Sequence, residues 1–510
     1  MPRKSKENVR DLLESRVAEY AEKPFLFSSA DGREWTYSKF DCDVNRSANM
    51  LIANGISKGD VVSLLLPNSP EYIIAYFACW KIGALAGPVN SLLKAEEIGW
   101  VVENSEAKLM LEGSEFLSSA SGESIIFDDV DLATADFDGE LDPVDLAPDD
   151  EAIIIYTSGT TGKPKGCLLT HRNLIANAQQ ITEWMGFGPD DRLLTVMPLF
   201  HMNAVSVTTM TALYAGGSTV VSPKFSSSRF WEIIEEYQIT SFGSVATMLS
   251  MLLAKSEPPA SAGGQEVTTE PPAYAGGSDT LRFAMCGSAP VPTEVLRRFE
   301  ESFGVLVIEG YGMSESTCRS TFNPPNEDRR PGSCGLAIGN EMKVFGDDDQ
   351  EVGNGELGEI VLRGPNIFKG YFKNPEATEK AFANGWFHTG DIGFRDADGF
   401  FYIADRKSDM IIRGGENIYP REIDDLLYTH PAVAAAAVIG VPDELYGEEV
   451  AAFIVLKGGQ KVTESEVIDF CKKRLADYKC PKTVHFVGDI PKGPTGKLLK
   501  RELAKLFSAS

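Results

Sequence analysis

Short runs that are apolar at every position, each followed by a longer helical pattern, recur along this chain. Val61-Val62-Ser63-Leu64-Leu65-Leu66 ends at Pro67, Glu71 to Ile82 reads as the helix after it, and Ala84 to Pro88 begins another strand. Ala152-Ile153-Ile154-Ile155-Tyr156 reads as a strand and His171 to Met185 as a helix. A strand with one wet face alternates apolar and polar residues, whereas a strand without alternation has both faces covered. The pattern predicts an α/β fold whose parallel-rich layers are buried beneath helices.

Two places break this rhythm. Residues 256–280 are rich in Pro, Gly, Ala, Ser and Thr and read as a long mobile loop. From Glu341 to Asp405 the pattern changes to short strands and turns, such as Gly358 to Leu362, which suggests a small β-barrel-like subdomain. From Ile418 onward a compact α+β pattern follows. Charge divides at the same point. The chain holds 48 basic and 74 acidic side chains, yet residues 406–510 hold 16 basic and 15 acidic, and the last 40 residues 10 and 3. A linker at 406–409 is therefore expected between a large acidic domain (1–405) and a small one (410–510).

Composition excludes several classes. A net charge of −26 repels nucleic acid and anionic lipid, so neither is an expected partner. The eight cysteines contain no CxxC pair, which disfavours a zinc site or a disulfide framework. The polar start Met1-Pro2-Arg3-Lys4 lacks a signal-peptide pattern, and no uncharged apolar run approaches the ~20 residues of a membrane span. The expectation is a cytoplasmic monomer or homodimer, not integrated in a membrane.

The strongest local signal is Tyr156-Thr157-Ser158-Gly159-Thr160-Thr161-Gly162-Lys163-Pro164-Lys165-Gly166, directly after a strand. Glycines allow a tight turn that presents backbone N–H groups to phosphate oxygens. The hydroxyls of Thr157, Ser158, Thr160 and Thr161 add donors, and Lys163 and Lys165 add positive charge. This composition suits a polyphosphate. It is not a Walker A loop, because Lys163 precedes Pro164 rather than Ser or Thr. GxSxG is absent from the sequence, which weakens a hydrolase reading.

The loop closely resembles the phosphate loop of the acyl-adenylate-forming superfamily, which includes acyl-CoA synthetases, peptide-adenylating domains and beetle luciferases. Further resemblances follow in the family's order. Gly310-Tyr311-Gly312-Met313-Ser314-Glu315 looks like the motif that stacks adenine (Tyr311), donates to the α-phosphate (Ser314) and holds Mg²⁺ (Glu315). Gly287-Ser288-Ala289-Pro290 resembles the segment beside adenine. Trp386 to Asp391 resembles the ribose motif, giving Asp391 the two vicinal hydroxyls, with Arg406 a second ribose or phosphate contact after a strand at Phe400 to Ala404. Pro491-Lys492-Gly493-Pro494-Thr495-Gly496-Lys497 resembles the turn carrying the catalytic lysine, here Lys497.

The resemblance implies ATP, Mg²⁺, a carboxylic acid and CoA as ligands. The acid would be adenylated with loss of pyrophosphate, and a thiol would then take the acyl group. Between these steps the small domain would rotate about Ser408, withdrawing Lys497 and bringing up Gly414, Gly415 and Glu416 beside the pantetheine. Ser408 stands where Asp or Lys is usual. Asp328-Arg329-Arg330-Pro331-Gly332 and Met313-Ser314-Glu315 look most like bacterial medium-chain or carnitine-type CoA ligases.

The acyl pocket is expected between His201, Ser244, Met285, Gly287 and Met313, with His201 ranked as a gate below Lys497 as a catalytic group. These stretches lack Asp, Glu and Lys, so a mainly neutral pocket is expected. Arg319 reads first as a surface arginine and second as the partner of a further carboxylate. Three rivals stand beside this reading: an adenylating enzyme that loads a carrier protein, a phosphotransferase that uses the 156–166 loop and yields ADP, and a non-catalytic acyl-AMP binder, against which Lys497, Glu315 and Asp391 argue.

Overall fold

A computed structural model describes residues 7–116, 123–157, 164–256, 280–287, 291–493, 498–500 and 502–504. Two seven-stranded sheets build the large unit. The first runs, in spatial order, through Leu306–Glu309, Phe283–Cys286, Ser241–Ser244, Arg192–Thr195, Ser218–Val221, Pro24–Ser28 and Glu34–Thr36; only the last pairing is antiparallel. The second contains Glu151–Thr157, Leu85–Pro88, Val61–Leu65, Leu109–Glu112 and Ser124–Ile126 in parallel, with Lys165–Thr170 and Gly370–Tyr371 added antiparallel at one edge.

The helix Pro70–Ile82 shows how the sheets pack together. All 13 of its residues are buried, and it touches strands of both sheets. A helix apolar on every side belongs between layers. Ser69 caps its start and Gly83, left-handed at φ 73°, ends it. Tyr76 donates to the Leu199 carbonyl at 2.7 Å and Trp80 to the Ala152 carbonyl at 2.9 Å, so its buried polar tips are satisfied.

Residues 341–406 form a five-stranded antiparallel sheet, including Gly358–Arg363, Trp386–Arg395 and Phe401–Arg406. Beyond it, a turn at 407–409 leads to a separate five-stranded sheet with helices Pro420–Tyr428 and Glu464–Lys472. Its edge strand Val433–Asp443 sends Ala436 and Val438 into one apolar cluster and Ala437, Ile439 and Val441 into another. That strand is thus buried on both faces, one cluster per face. Among the described residues, no helix is long and apolar enough to cross a membrane. The loop expected at 256–280 lies almost wholly outside the described residues.

Candidate active site

The antiparallel register of Trp386–Arg395 and Phe401–Arg406 sets Asp391 opposite Arg406. Arg406 Nε lies 3.2 Å from one carboxylate oxygen of Asp391, and the Tyr311 hydroxyl donates to the other at 2.6 Å. Asp391 is buried, and its N–H donates to Thr389 Oγ1 at 3.1 Å. The strand continues through Arg406, beyond the Phe400–Ala404 expected from sequence, because this pairing extends it. Burial first, then the Asp391 charge, push the Tyr311 hydroxyl well above its ordinary pKa, so it remains a donor.

Tyr311 sits in a tight turn after Leu306–Glu309. A Cβ on Gly312 would fall 2.0 Å from the Cys318 carbonyl oxygen, so only glycine fits. Ser314–Ser316 makes one 3₁₀ turn, and Thr317 and Cys318 follow at φ 62° and 145°. Left-handed backbone at a β-branched residue is strained, and Thr317 Oγ1 anchors it by donating to the Asn366 carbonyl at 2.6 Å. The turn presents Glu315, whose Oε1 accepts from the Tyr371 hydroxyl at 3.0 Å. Burial pushes the Glu315 carboxyl up, opposed by the Tyr371 hydrogen bond and the Arg406 charge. Lys165, from the far end of the glycine-rich loop, lies with Nζ 5.0 Å from the centre of the Tyr371 ring.

A cavity of about 240 Å³ adjoins this cluster, lined by Gly287, Gly310, Tyr311, Gly312, Asp391 and Arg406. The small unit closes it with Arg421, Asp424, Leu498 and Lys500. Lys500 donates to Asp424 at 2.9 Å, and the Arg421 N–H to Asp405 at 3.0 Å. Glu309 also lines the cavity, and burial pushes its carboxyl up to about 8. A second cavity of about 730 Å³ is lined by Phe200, Val245, Met248, Met251, Lys492 and Leu498.

Carboxylate, guanidinium, phenol and glycine turn meet at one cavity, a donor set that suits a nucleoside phosphate. Residues 13–372 match the model of the AMP-binding enzyme family, and residues 422–497 that of the AMP-binding enzyme C-terminal domain.

The chain belongs to the AMP-binding enzyme family.

Among its relatives is the sulfoacetate–CoA ligase of Cupriavidus necator, 36% identical over 96% of each chain. Another is the crotonobetaine/carnitine–CoA ligase of Citrobacter koseri, 34% identical over 98% of this chain and 99% of that one. ATP-bound MatB from Rhodopseudomonas palustris superposes with a TM-score of 0.89 at 30% identity, covering 97% of this chain and 98% of MatB.

Within this AMP-binding enzyme, Gly287, Gly310, Tyr311, Gly312, Glu315, Asp391, Arg406 and Lys165 are brought together as the sequence suggested. Ser158 to Lys163, Ser288, Ala289, Pro290 and Lys497 lie outside the described residues, although Lys492, Gly493 and Leu498, which flank Lys497, line the second cavity. Ser314 and Met313 are half-buried in the 3₁₀ turn. Ser244 and Met285 line neither cavity: both are fully buried, and the Ser244 hydroxyl is spent on the Met285 carbonyl at 3.0 Å. His201 is neutral at pH 7, since burial pushes its imidazole down to about 4. Gly414 and Gly415, at φ 60° and 94°, form a two-residue hairpin turn with exposed Glu416. This hairpin lines neither cavity, and Ser408 is exposed in the turn at 407–409.

One sequence expectation is overturned. Arg319 is not a surface arginine but is 1% exposed, among the largest fully buried side chains. A single arginine among Ser, Thr and Cys neighbours carries no sequence signal of depth. Tyr371, which holds Glu315, also went unnoticed, because a Gly-Tyr-Phe segment reads as ordinary sheet.

Proposed function

We propose that this AMP-binding enzyme uses the Tyr311–Asp391–Arg406 cluster to hold the ribose and adenine of ATP, with Glu315, Ser314 and the 157–165 loop on the phosphates. The chain is an ATP-dependent acyl-CoA synthetase, an acid–thiol ligase. A carboxylate oxygen attacks the α-phosphorus, the bond to the bridging oxygen breaks, and pyrophosphate departs. The CoA thiol then attacks the acyl carbon and AMP leaves. No general base is needed for the first step, because the acid is ionised at pH 7. Positioning and charge neutralisation by Arg406, Lys165 and Lys497 lower the barrier.

Glu315 is a hard oxygen donor facing this site, and it fits a Mg²⁺ ion carried on the nucleotide. Among the described residues no cluster of three or more ligating side chains occurs, so protein would supply one carboxylate and phosphates the rest. Such an ion neutralises charge on the phosphates.

The observation that carries this reading is the clasp on Asp391: one carboxylate, buried and held at both oxygens beside a glycine turn. The division into 1–405, 406–409 and 410–510, with Ser408 as pivot and Gly414–Glu416 as CoA path, belongs to the same proposal. All eight cysteines are free thiols, which supports a cytoplasmic setting for a monomer or homodimer. The acids named for the relatives differ: sulfoacetate carries a second anion, carnitine a cation. Pyrophosphate release should be measured across carboxylic acids with and without CoA. AMP with acyl-CoA supports the reading; ADP sustains the phosphotransferase rival, and acyl-AMP unresponsive to CoA the carrier-protein rival.

A further inference from the structure

Arg319 is an arginine without a counter-ion in the interior of a protein. Its guanidinium makes one hydrogen bond, from Nη1 to the Cys318 carbonyl at 3.3 Å. Nε and Nη2 are sealed from solvent with no partner, and among the described residues no carboxylate pairs with it. Burying an uncompensated cation costs several kcal/mol, so a purely structural arginine would be placed beside an acid.

The head of Arg319 packs against Gly287, one of the residues that line the nucleotide cavity. A Cβ added to Gly287 would lie 2.8 Å from both Cζ and Nη2, and Gly287 lines that cavity. A second orphan lies nearby. Asn203 is 3% exposed, and neither atom of its carboxamide has a partner. Its Oδ1 lies 2.6 Å from where a Cβ of Gly243 would stand. Gly243 is in register with Met285, two residues before Gly287 on the adjacent strand. Alternation along strands therefore turns both glycines to one face of the sheet. Asn177 ties the two orphans together: its Oδ1 accepts from the Arg319 N–H at 3.3 Å and from Ser206 Oγ at 2.9 Å, and Ser206 is in the same helical segment as Asn203.

We infer that Arg319, assisted by Asn203, is a specificity subsite for a second anionic group on a short carboxylic acid, such as a further carboxylate or a sulfonate. This rests on the synthetase reading and names its substrate class. The acid is short because the same Cβ position on Gly287 is 2.5 Å from the Gly310 carbonyl, at the start of the Gly310–Glu315 turn. The guanidinium thus stands within a few carbons of the reacting carboxylate. A neutral acid leaves the cation with the Phe322 ring, 5.6 Å from its Cζ, but no anion, whereas an anion satisfies Nε and Nη2 in the fork geometry that guanidinium favours.

The test compares malonate, succinate and glutarate with their half-amides, which have the same shape without the second charge. For wild type, kcat/KM for the best diacid should exceed that of its half-amide by about a hundredfold. In Arg319→Met this ratio should fall to near one, mainly through KM, and Arg319→Lys should restore part of it. A merely structural arginine would lower activity on both acids together and leave the ratio intact, which overturns the inference. If Arg319→Met does not fold, the wild-type ratio decides alone, and a value near or below one overturns it. Thioester formed from neutral acids only sinks the anion subsite but not the synthetase, whereas no pyrophosphate from any acid sinks both.

Discussion

Tyr311 and Asp391 stand 80 residues apart in sequence, and the hydroxyl of one donates to the carboxylate of the other at 2.6 Å. One comes from a turn at the end of a parallel sheet, the other from the antiparallel sheet beside it. Tyr311→Phe removes the bond but keeps the ring. KM for ATP should rise about tenfold with a smaller change in kcat, because a hydrogen bond to a charged group contributes about 1.5–3 kcal/mol. ATP–pyrophosphate exchange measures this; an unchanged KM refutes the clasp.

Glu315 must be ionised to act, and burial already pushes it up. The Tyr371 hydroxyl opposes that shift, so Tyr371→Phe pushes the carboxyl higher still. Activity is lost as pH falls through this pKa, so the acid limb of kcat/KM against pH should move to higher pH in the variant. A limb that stays in place, or moves lower, contradicts the role given to Glu315.

His171 is fully buried, and burial pushes it down to about 4 from an ordinary 6.5. The unfolded chain therefore binds this proton first, and stability present above pH 6.5 is lost as pH falls toward 4. The loss is of order 1–3 kcal/mol. Urea unfolding of His171→Gln should show a flatter dependence over that range; an equally steep one discounts the assignment.

Gly414 and Gly415 both occupy left-handed backbone in an exposed hairpin. Gly415→Val strains that turn by about 1–2 kcal/mol. Thioester formation from supplied acyl-AMP should slow markedly while pyrophosphate release holds. Equal loss of both half-reactions would remove the hairpin from the CoA path.

Lys497→Ala should do the reverse, abolishing adenylation while sparing the second step. Ser408→Pro should trap one arrangement of the small unit, and survival of both half-reactions would end its role as pivot.

The helix at His171–Met185 was legible to the residue, because Thr170 caps it and Gly186 stops it with short-range chemistry. The parallel strands were legible because continuous apolar runs have few other uses. The site was legible where glycine or charge had to recur at fixed spacing, as in Gly310–Glu315. It was not legible where contact depends on distant packing. Tyr371 reaches Glu315 across 56 residues, and the depth of Arg319 follows from the sheet in front of it.

Arg406 is the last residue of its strand, and Ser408 follows two positions later in the turn. On the proposed reading, the anchor of the sugar and the root of the tether would be the same few atoms of chain. Pyrophosphate would then depart without loosening that anchor, since the ribose stays with the acyl-AMP. On that reading, a swing of the trailing hundred or so residues would turn about a point kept taut by the nucleotide itself, from the arrival of ATP until the release of AMP.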